Sequence, residues 1–445
     1  MRNSVLLAAT AATASLVLSA AASAQPITNV VQPAKGPAAM NSNAIAEAVR
    51  DAVKSNYVLA DKVPLVTAAL DKGIAEGRYQ GLEGGTLAER LNQDLAAAAH
   101  DKHLSISFDP VHAAMLKGPM SDEITEGPEW ERMARGMNHG IAELRLMDGN
   151  VRYMNLVGFA WTGAKSAAAI DNAMRFLADG DAAVIDLRYN GGGSPKAIQY
   201  LFSHFVAANK PLMTFYFGGG KAVERDLSLA KLPAGRMKGK PLYILTSNRS
   251  ISAAEAFAAL VKDYGVGDIV GETTAGAAYR NSYFPIAGQY MLSVSVARGE
   301  VGPSRVDWEG TGIAPTIKAN ADDALDMAHM AALEKLGATA AGPEKAMMLA
   351  KAAVLKAKLS PVKAAHDLPA YVGRYQDRAV TVDKDALYSQ RTGGPRTRLL
   401  AVGGDAFIME SDPLTRVEYV VADGKAVSME VIRADGSRQK QPRTD

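Results

Sequence analysis

The chain has 445 residues, room for two or three domains of ordinary size. Hydrophobic residues make up 48% and charged residues 22%, which excludes global disorder. The 49 basic and 47 acidic side chains leave a net charge of +2 with no basic block, so neither nucleic acid nor an anionic membrane surface is an expected partner. There is no cysteine, which excludes disulfides, thiolate-held metal, iron–sulfur clusters and a cysteine nucleophile.

Residues 1–24 read as a secretory signal peptide: Arg2, an apolar stretch, then Ala22-Ser23-Ala24 before Gln25. This predicts an exported protein, periplasmic or secreted, with no membrane span once the signal is removed. Residues 25–40 are a Pro- and Ala-rich linker. Over 41–103 apolar residues recur at helical spacing, as in Ile45, Val49, Val53 and Leu87, Leu91, Leu95, which predicts an N-terminal helical domain of short helices packed as a bundle.

From residue 104 the period shortens. Strands are expected at 104–108, 141–146 and 151–156, then a helix at 166–177. Residues 182–187 form an apolar run that suits a strand buried on both faces. A helix at 196–206, a strand at 241–246, a helix at 252–264 and strands at 268–271 and 289–297 follow. This alternation predicts an α/β core with right-handed crossovers over 104–335. Residues 336–367 read as a helix and linker. From 368 to 445 the period is two, with strands at 379–382, 406–410, 416–421 and 427–432 and turn pairs such as Gly403-Gly404 and Asp423-Gly424 between apolar runs. A small C-terminal antiparallel β domain is expected there.

Three segments carry candidate chemistry. The first, Asp186-Leu187-Arg188-Tyr189-Asn190-Gly191-Gly192-Gly193, takes a buried strand into a glycine turn and then a helix. Such a turn brings backbone N–H groups close to a ligand, as a phosphate cradle or an oxyanion hole. The phosphate use lacks the lysine and Ser/Thr of a P-loop. The second, Ser250-Ile251-Ser252-Ala253-Ala254-Glu255, puts a serine between strand and helix, the shape of a nucleophile turn. The same letters are a capping box, S-x-x-E, which does no more than close a helix. The third is Asp307-Trp308-Glu309-Gly310-Thr311-Gly312, an acid in a glycine-rich loop. A serine nucleophile needs a base. The seven histidines are His100, His103, His112, His139, His204, His329 and His366. Of these, His103 stands at the junction of the helical region and the first strand.

Together and in this order, Asp186–Gly193, Ser252–Glu255, Gly271-Glu272-Thr273-Thr274-Ala275-Gly276 and Trp308-Glu309-Gly310-Thr311-Gly312-Ile313 resemble the C-terminal-processing/tricorn family of serine peptidases. The resemblance covers about residues 40–335 and is nearest the branch that includes interphotoreceptor retinoid-binding protein. It implies a ClpP/crotonase-like ββα-spiral core. It implies Ser252 as nucleophile, His103 as base, Glu309 as the acid that orients it, and oxyanion donors at Gly191 or Gly192 and at Ala253. Processing peptidases carry a lysine base about 25 residues after the serine; that place is Ala277 here, so a Ser–Lys dyad is absent. Tricorn has a serine just before the histidine, where this chain has Lys102. No PDZ segment is evident after His103. No cofactor and no metal are implied. The expected partner is a peptide or protein substrate, and an oligomer is left open. Two other uses of the scaffold stand beside peptide hydrolysis: a non-catalytic binder of apolar ligands, and an esterase with the same residues.

Overall fold

The computed structural model describes residues 41–116, 120–121, 128–218 and 223–445. The expected signal peptide and linker lie outside the described residues. The fold is mixed α/β, with two stacked sheets, helices on both sides, and a third sheet near the C-terminus.

The helices Ser42–Asn56, Val63–Ala75 and Gly84–Ala99 open the described chain. The Asn41 side chain caps the first by accepting the Ala44 N–H at 2.8 Å, and Pro64 starts the second. Their apolar stripes do not close on one another alone. Val49, Leu70, Leu91 and Leu95 share one core with Phe284, Leu292 and Val294 of a sheet far along the chain. That sheet runs in the order Met120–Ser121, Arg280–Ile286, Tyr290–Val301, Pro211–Phe217, Val223–Leu227, with Ser105–Phe108 also paired to Tyr290–Val301, and every pairing is antiparallel.

The second sheet runs Ile317–Lys318, Asp268–Gly271, Leu242–Thr246, Ala182–Asp186, Val151–Leu156, Ile141–Met147. It is parallel except for the hairpin at its Ile141–Met147 edge. Alternate residues of its central strands face opposite cores. Ile185 and Ile244 pack with Ile198, Phe257 and Leu260 of two crossover helices and with Ala297 of the first sheet. Val184, Tyr243 and Leu245 pack with Ala324, Ala328 and Ala332 of the helix Ala324–Thr339. This two-sided burial is why 182–187 reads as continuous apolar sequence.

After the helix Gly342–Leu359, eight strands form an antiparallel meander in chain order from Gly373–Tyr375 to Arg438–Pro442. A bridge between Tyr375 and Arg443 joins its last segment to its first. Tyr371, Tyr375, Phe407 and Tyr419 fill its interior.

Candidate active site

The strands Ala182–Asp186 and Leu242–Thr246 are parallel neighbours, so the turns that follow them leave the sheet side by side. They interlock. The Ser250 hydroxyl donates to the Leu187 carbonyl at 2.7 Å and the Ile251 N–H to the Asn190 carbonyl at 3.2 Å. Asn190 is fully buried; its amide donates to the Leu156 carbonyl at 2.8 Å, and its Oδ1 accepts the Gly192 N–H at 2.8 Å.

Ser252 stands where the second turn meets the helix Ala253–Asp263, with φ 59° and ψ −116°. A serine gains nothing intrinsically from this sparsely populated conformation, so the surrounding bonds must hold it there. Gly192 faces it with φ 93°. A Cβ on Gly192 would lie 2.9 Å from the Ser252 Cβ and 3.1 Å from the Ile251 carbonyl oxygen. Glycine is what lets the two turns touch. The Ala253 N–H is the first of its helix and has no intrahelical acceptor. It lies 3.3 Å from where that Cβ would be.

Among the glycine amides, Gly192 is committed to Asn190 and Gly191 is directed at the Val157 carbonyl at 3.4 Å. Gly193 differs. It bridges to Phe159 in parallel, with Phe159 N–H bonded to the Gly192 carbonyl and Ser194 N–H to the Phe159 carbonyl. That pattern leaves the Gly193 amide outside the ladder. The resemblance points to Gly191 or Gly192, whereas the tertiary pairing engages both of those amides and leaves Gly193 uncommitted.

Ser252, Gly191, Gly193 and His103 line one cavity of about 490 Å³. His103 gets there because the helix Gly84–Ala99 ends at His100 in a left-handed conformation (φ 53°) and the chain then enters the strand Ser105–Phe108. The Asp101 carboxylate accepts the His103 N–H at 2.8 Å, and the Ser293 hydroxyl donates to the His103 carbonyl. Burial pushes the imidazole below its ordinary 6.5, and the charge of Asp101 opposes the shift. Its Nδ1 is buried with no hydrogen-bond partner among the described residues.

Glu309 is not on that cavity wall. Its carboxylate accepts the Ala278 N–H at 2.6 Å, and burial lifts its pKa while this amide opposes the rise. Glu255, which sequence suggested only as a helix cap, does more. It is fully buried and accepts from the Ser252 N–H (2.9 Å), the Thr274 hydroxyl (2.6 Å), the Gly276 N–H (2.6 Å) and the Ala277 N–H (2.9 Å). Two glutamates thus hold three successive amides, 276 to 278. Ala277, at the place of the processing-peptidase lysine, is 1% exposed within this clamp.

A second imidazole in the cavity was not singled out by sequence. His112 presents Nδ1 to the Asp109 carboxylate at 2.6 Å and stacks on Trp130, ring centroids 5.8 Å apart. Met133, Met137, Phe159 and Trp161 make much of the remaining wall apolar. Of the other histidines, His204 is buried against the Tyr200 carbonyl and His329 bonds the Asp148 carbonyl, both outside the cavity. Among the described residues no cluster of His, Asp or Glu has the form of a metal site. No helix there is long and apolar enough to cross a membrane. A serine at a helix N-terminus, spare amides beside it and an imidazole on the same cavity are the parts that acyl transfer needs.

Residues 150–319 match the model of peptidase family S41, and residues 39–134 match the N-terminal domain of peptidase S41 in eukaryotic IRBP. The carboxy-terminal processing protease CtpA of Bacillus subtilis (strain 168) is 25% identical over 260 residues, 57% of this chain and 53% of that protein. The chloroplastic carboxyl-terminal-processing peptidase 1 of Arabidopsis thaliana is 26% identical over 178 residues, 40% of this chain and 29% of that one. The chain therefore spans about half the length of the first relative and under a third of the second. Among solved structures, the photosystem II D1 C-terminal processing protease overlaps with a TM-score of 0.39 at 16% identity, over 64% of this chain and 94% of that one.

Proposed function

Because the chain belongs to peptidase family S41, we propose that it is an exported serine-type peptidase cleaving peptide bonds through an acyl-enzyme on Ser252. The observation that carries this reading is the strained Ser252 backbone (φ 59°) butted against Gly192 at a helix N-terminus. A mere cap needs neither the strain nor the glycine contact.

In this mechanism His103 takes the Ser252 proton as Oγ attacks the peptide carbonyl. The oxyanion rests on the Ala253 N–H and on one amide of the glycine turn. The resemblance offers Gly191 or Gly192; the spare amide of Gly193 makes it the better donor. One such donor is worth about 3 kcal/mol of barrier. The imidazolium then protonates the leaving amine, and water repeats the sequence on the ester with the proton returning to Ser252. Glu309 is the acidic member of the triad. In the free protein its carboxylate is on the Ala278 amide, so its contact with His103 is one that forms as substrate binds. The two stacked sheets are read as the ClpP/crotonase-like spiral, residues 41–103 as its helical flank and 368–445 as an appended β domain. Residues 1–24 direct export to the periplasm or beyond.

A fluorophosphonate probe on the mature protein tests this. An adduct mapped to Ser252, lost in Ser252→Ala and strongly reduced in His103→Ala, is the expected result. The apolar cavity wall supports a second reading, a binder of apolar ligands on the same scaffold. No adduct in folded protein would favour it. Comparing ester with peptide turnover separates the esterase variant.

A further inference from the structure

Asp101 is 5% exposed, and its neighbours single it out. Its Oδ1 accepts the His103 N–H at 2.8 Å. Its Oδ2 accepts the Tyr57 hydroxyl at 3.0 Å and the Ser295 hydroxyl at 2.7 Å. Three neutral donors hold this buried carboxylate. Lys102, next in the chain, sends its ammonium to the Ala275 carbonyl instead. Among the described residues no cation pairs with the Asp101 carboxylate, and a buried anion so placed seeks countercharge.

The groups that face His103 and its neighbourhood are few. Glu309 is held by the Ala278 amide. Burial drives the Tyr57 phenol far up and the Tyr279 phenol to about 12, so both stay neutral. Across the cavity, His112 is tied to Asp109. Arg298 and Asp307 pair with each other at 3.8 Å. Among the described residues that leaves the imidazole of His103, whose Nδ1 is buried and without a hydrogen bond there.

We infer that Asp101 is a positioning residue for the base: it fixes the His103 segment through the main-chain N–H, and its standing charge stabilises the imidazolium formed when His103 takes the Ser252 proton. This rests on the peptidase reading. The proton moves from Ser252 Oγ to His103 and on to the leaving amine; Asp101 stays ionised throughout. Asp101 is thus in place before and during the reaction, whereas Glu309, held by the Ala278 amide, joins His103 only with substrate bound.

Asp101→Asn tests it with little change of shape. The Asn oxygen still accepts the His103 N–H, and the Tyr57 and Ser295 hydroxyls can turn to accept from its amide. The His103 ring is titrated by NMR in wild type, Asp101→Asn and Glu309→Gln, and fluorophosphonate labelling is followed against pH. Removing the charge should lower the His103 midpoint by about one pH unit and slow labelling above it about tenfold. Glu309→Gln should leave the free-protein midpoint nearly in place. An unmoved midpoint in folded Asp101→Asn overturns the inference, as does a larger shift in Glu309→Gln. If Asp101→Asn does not fold, the wild-type protein still decides. The Asp101 side-chain carboxyl carbon should report the His103 titration at the same midpoint, and its silence overturns the inference. Coupled titration without any Ser252 adduct would instead sink the peptidase reading and leave the pair a structural one.

Discussion

At residue scale, the candidate site depends on one contact that a methyl group would destroy. Gly192→Ala places a Cβ 2.9 Å from the Ser252 Cβ at a φ of 93°. The backbone penalty alone is about 1–3 kcal/mol, and the clash displaces the serine. Labelling at Ser252 should fall by more than about tenfold, given how steeply rate depends on placement, while circular dichroism still shows folded protein. His103 sets the pH dependence. Burial holds its pKa below 6.5, and the base must be neutral to accept a proton. Labelling should therefore rise with pH along a limb whose midpoint lies below 6.5, and persist at mildly acidic pH. A midpoint above 6.5, measured as rate against pH, would contradict the buried environment described for the ring.

At the scale of elements, Glu255 joins the parts. It binds the Ser252 turn and the 274–277 loop directly, and Thr274 in turn accepts the Ile313 N–H at 2.7 Å, beside the loop that carries Glu309. Glu255→Ala strands four donors, three of them amides and all but the Ser252 N–H buried. At about 1–3 kcal/mol for each unsatisfied group, the variant should be strongly destabilised, with a thermal midpoint well below wild type. Glu255→Gln keeps one acceptor oxygen but turns amide hydrogens toward donors, so its melting point should fall in between. A wild-type melting curve for Glu255→Ala would mean that the clamp is not needed. Sequence marked the strands Ala182–Asp186 and Leu242–Thr246 and the helix after Ser252, because burial on both faces leaves unbroken apolar runs. It passed over Arg280–Ile286, which Asn281, Ser282 and Pro285 disguise, and Pro211–Phe217. It also passed over the short helices Pro110–Met115 and Pro128–Gly136, which bring His112, Trp130 and Met133 to the cavity.

For the whole molecule, acid is the weak direction. Burial pushes His103, His139, His204 and His329 below 6.5. The unfolded chain, with ordinary histidines, then binds more protons than the folded one as pH falls through about 6.5. Stability is full above that value and declines below it, down to the folded-state pKa values. Melting followed between pH 7.5 and pH 5 should show a lower midpoint in acid, and replacing His204 by Gln should flatten the slope. The carboxylates held low by their partners, such as Asp109 beside His112, add their losses only further down, below the ordinary 3.8.

By itself the sequence determined which residue types are available and where the chain turns. The lack of cysteine, the strand–turn–helix around Ser252 and the run of three glycines are all local facts, set by composition and short-range pattern. The tertiary structure alone decided which glycine amide stays out of the ladder, that Glu255 and Glu309 share a clamp on one loop, and that Asp101 and His112 stand near the cavity with His103. These are pairings between segments tens to hundreds of residues apart. Hydrogen-bond satisfaction and burial choose among them only after the sheets have stacked, and no spacing along the chain encodes that choice.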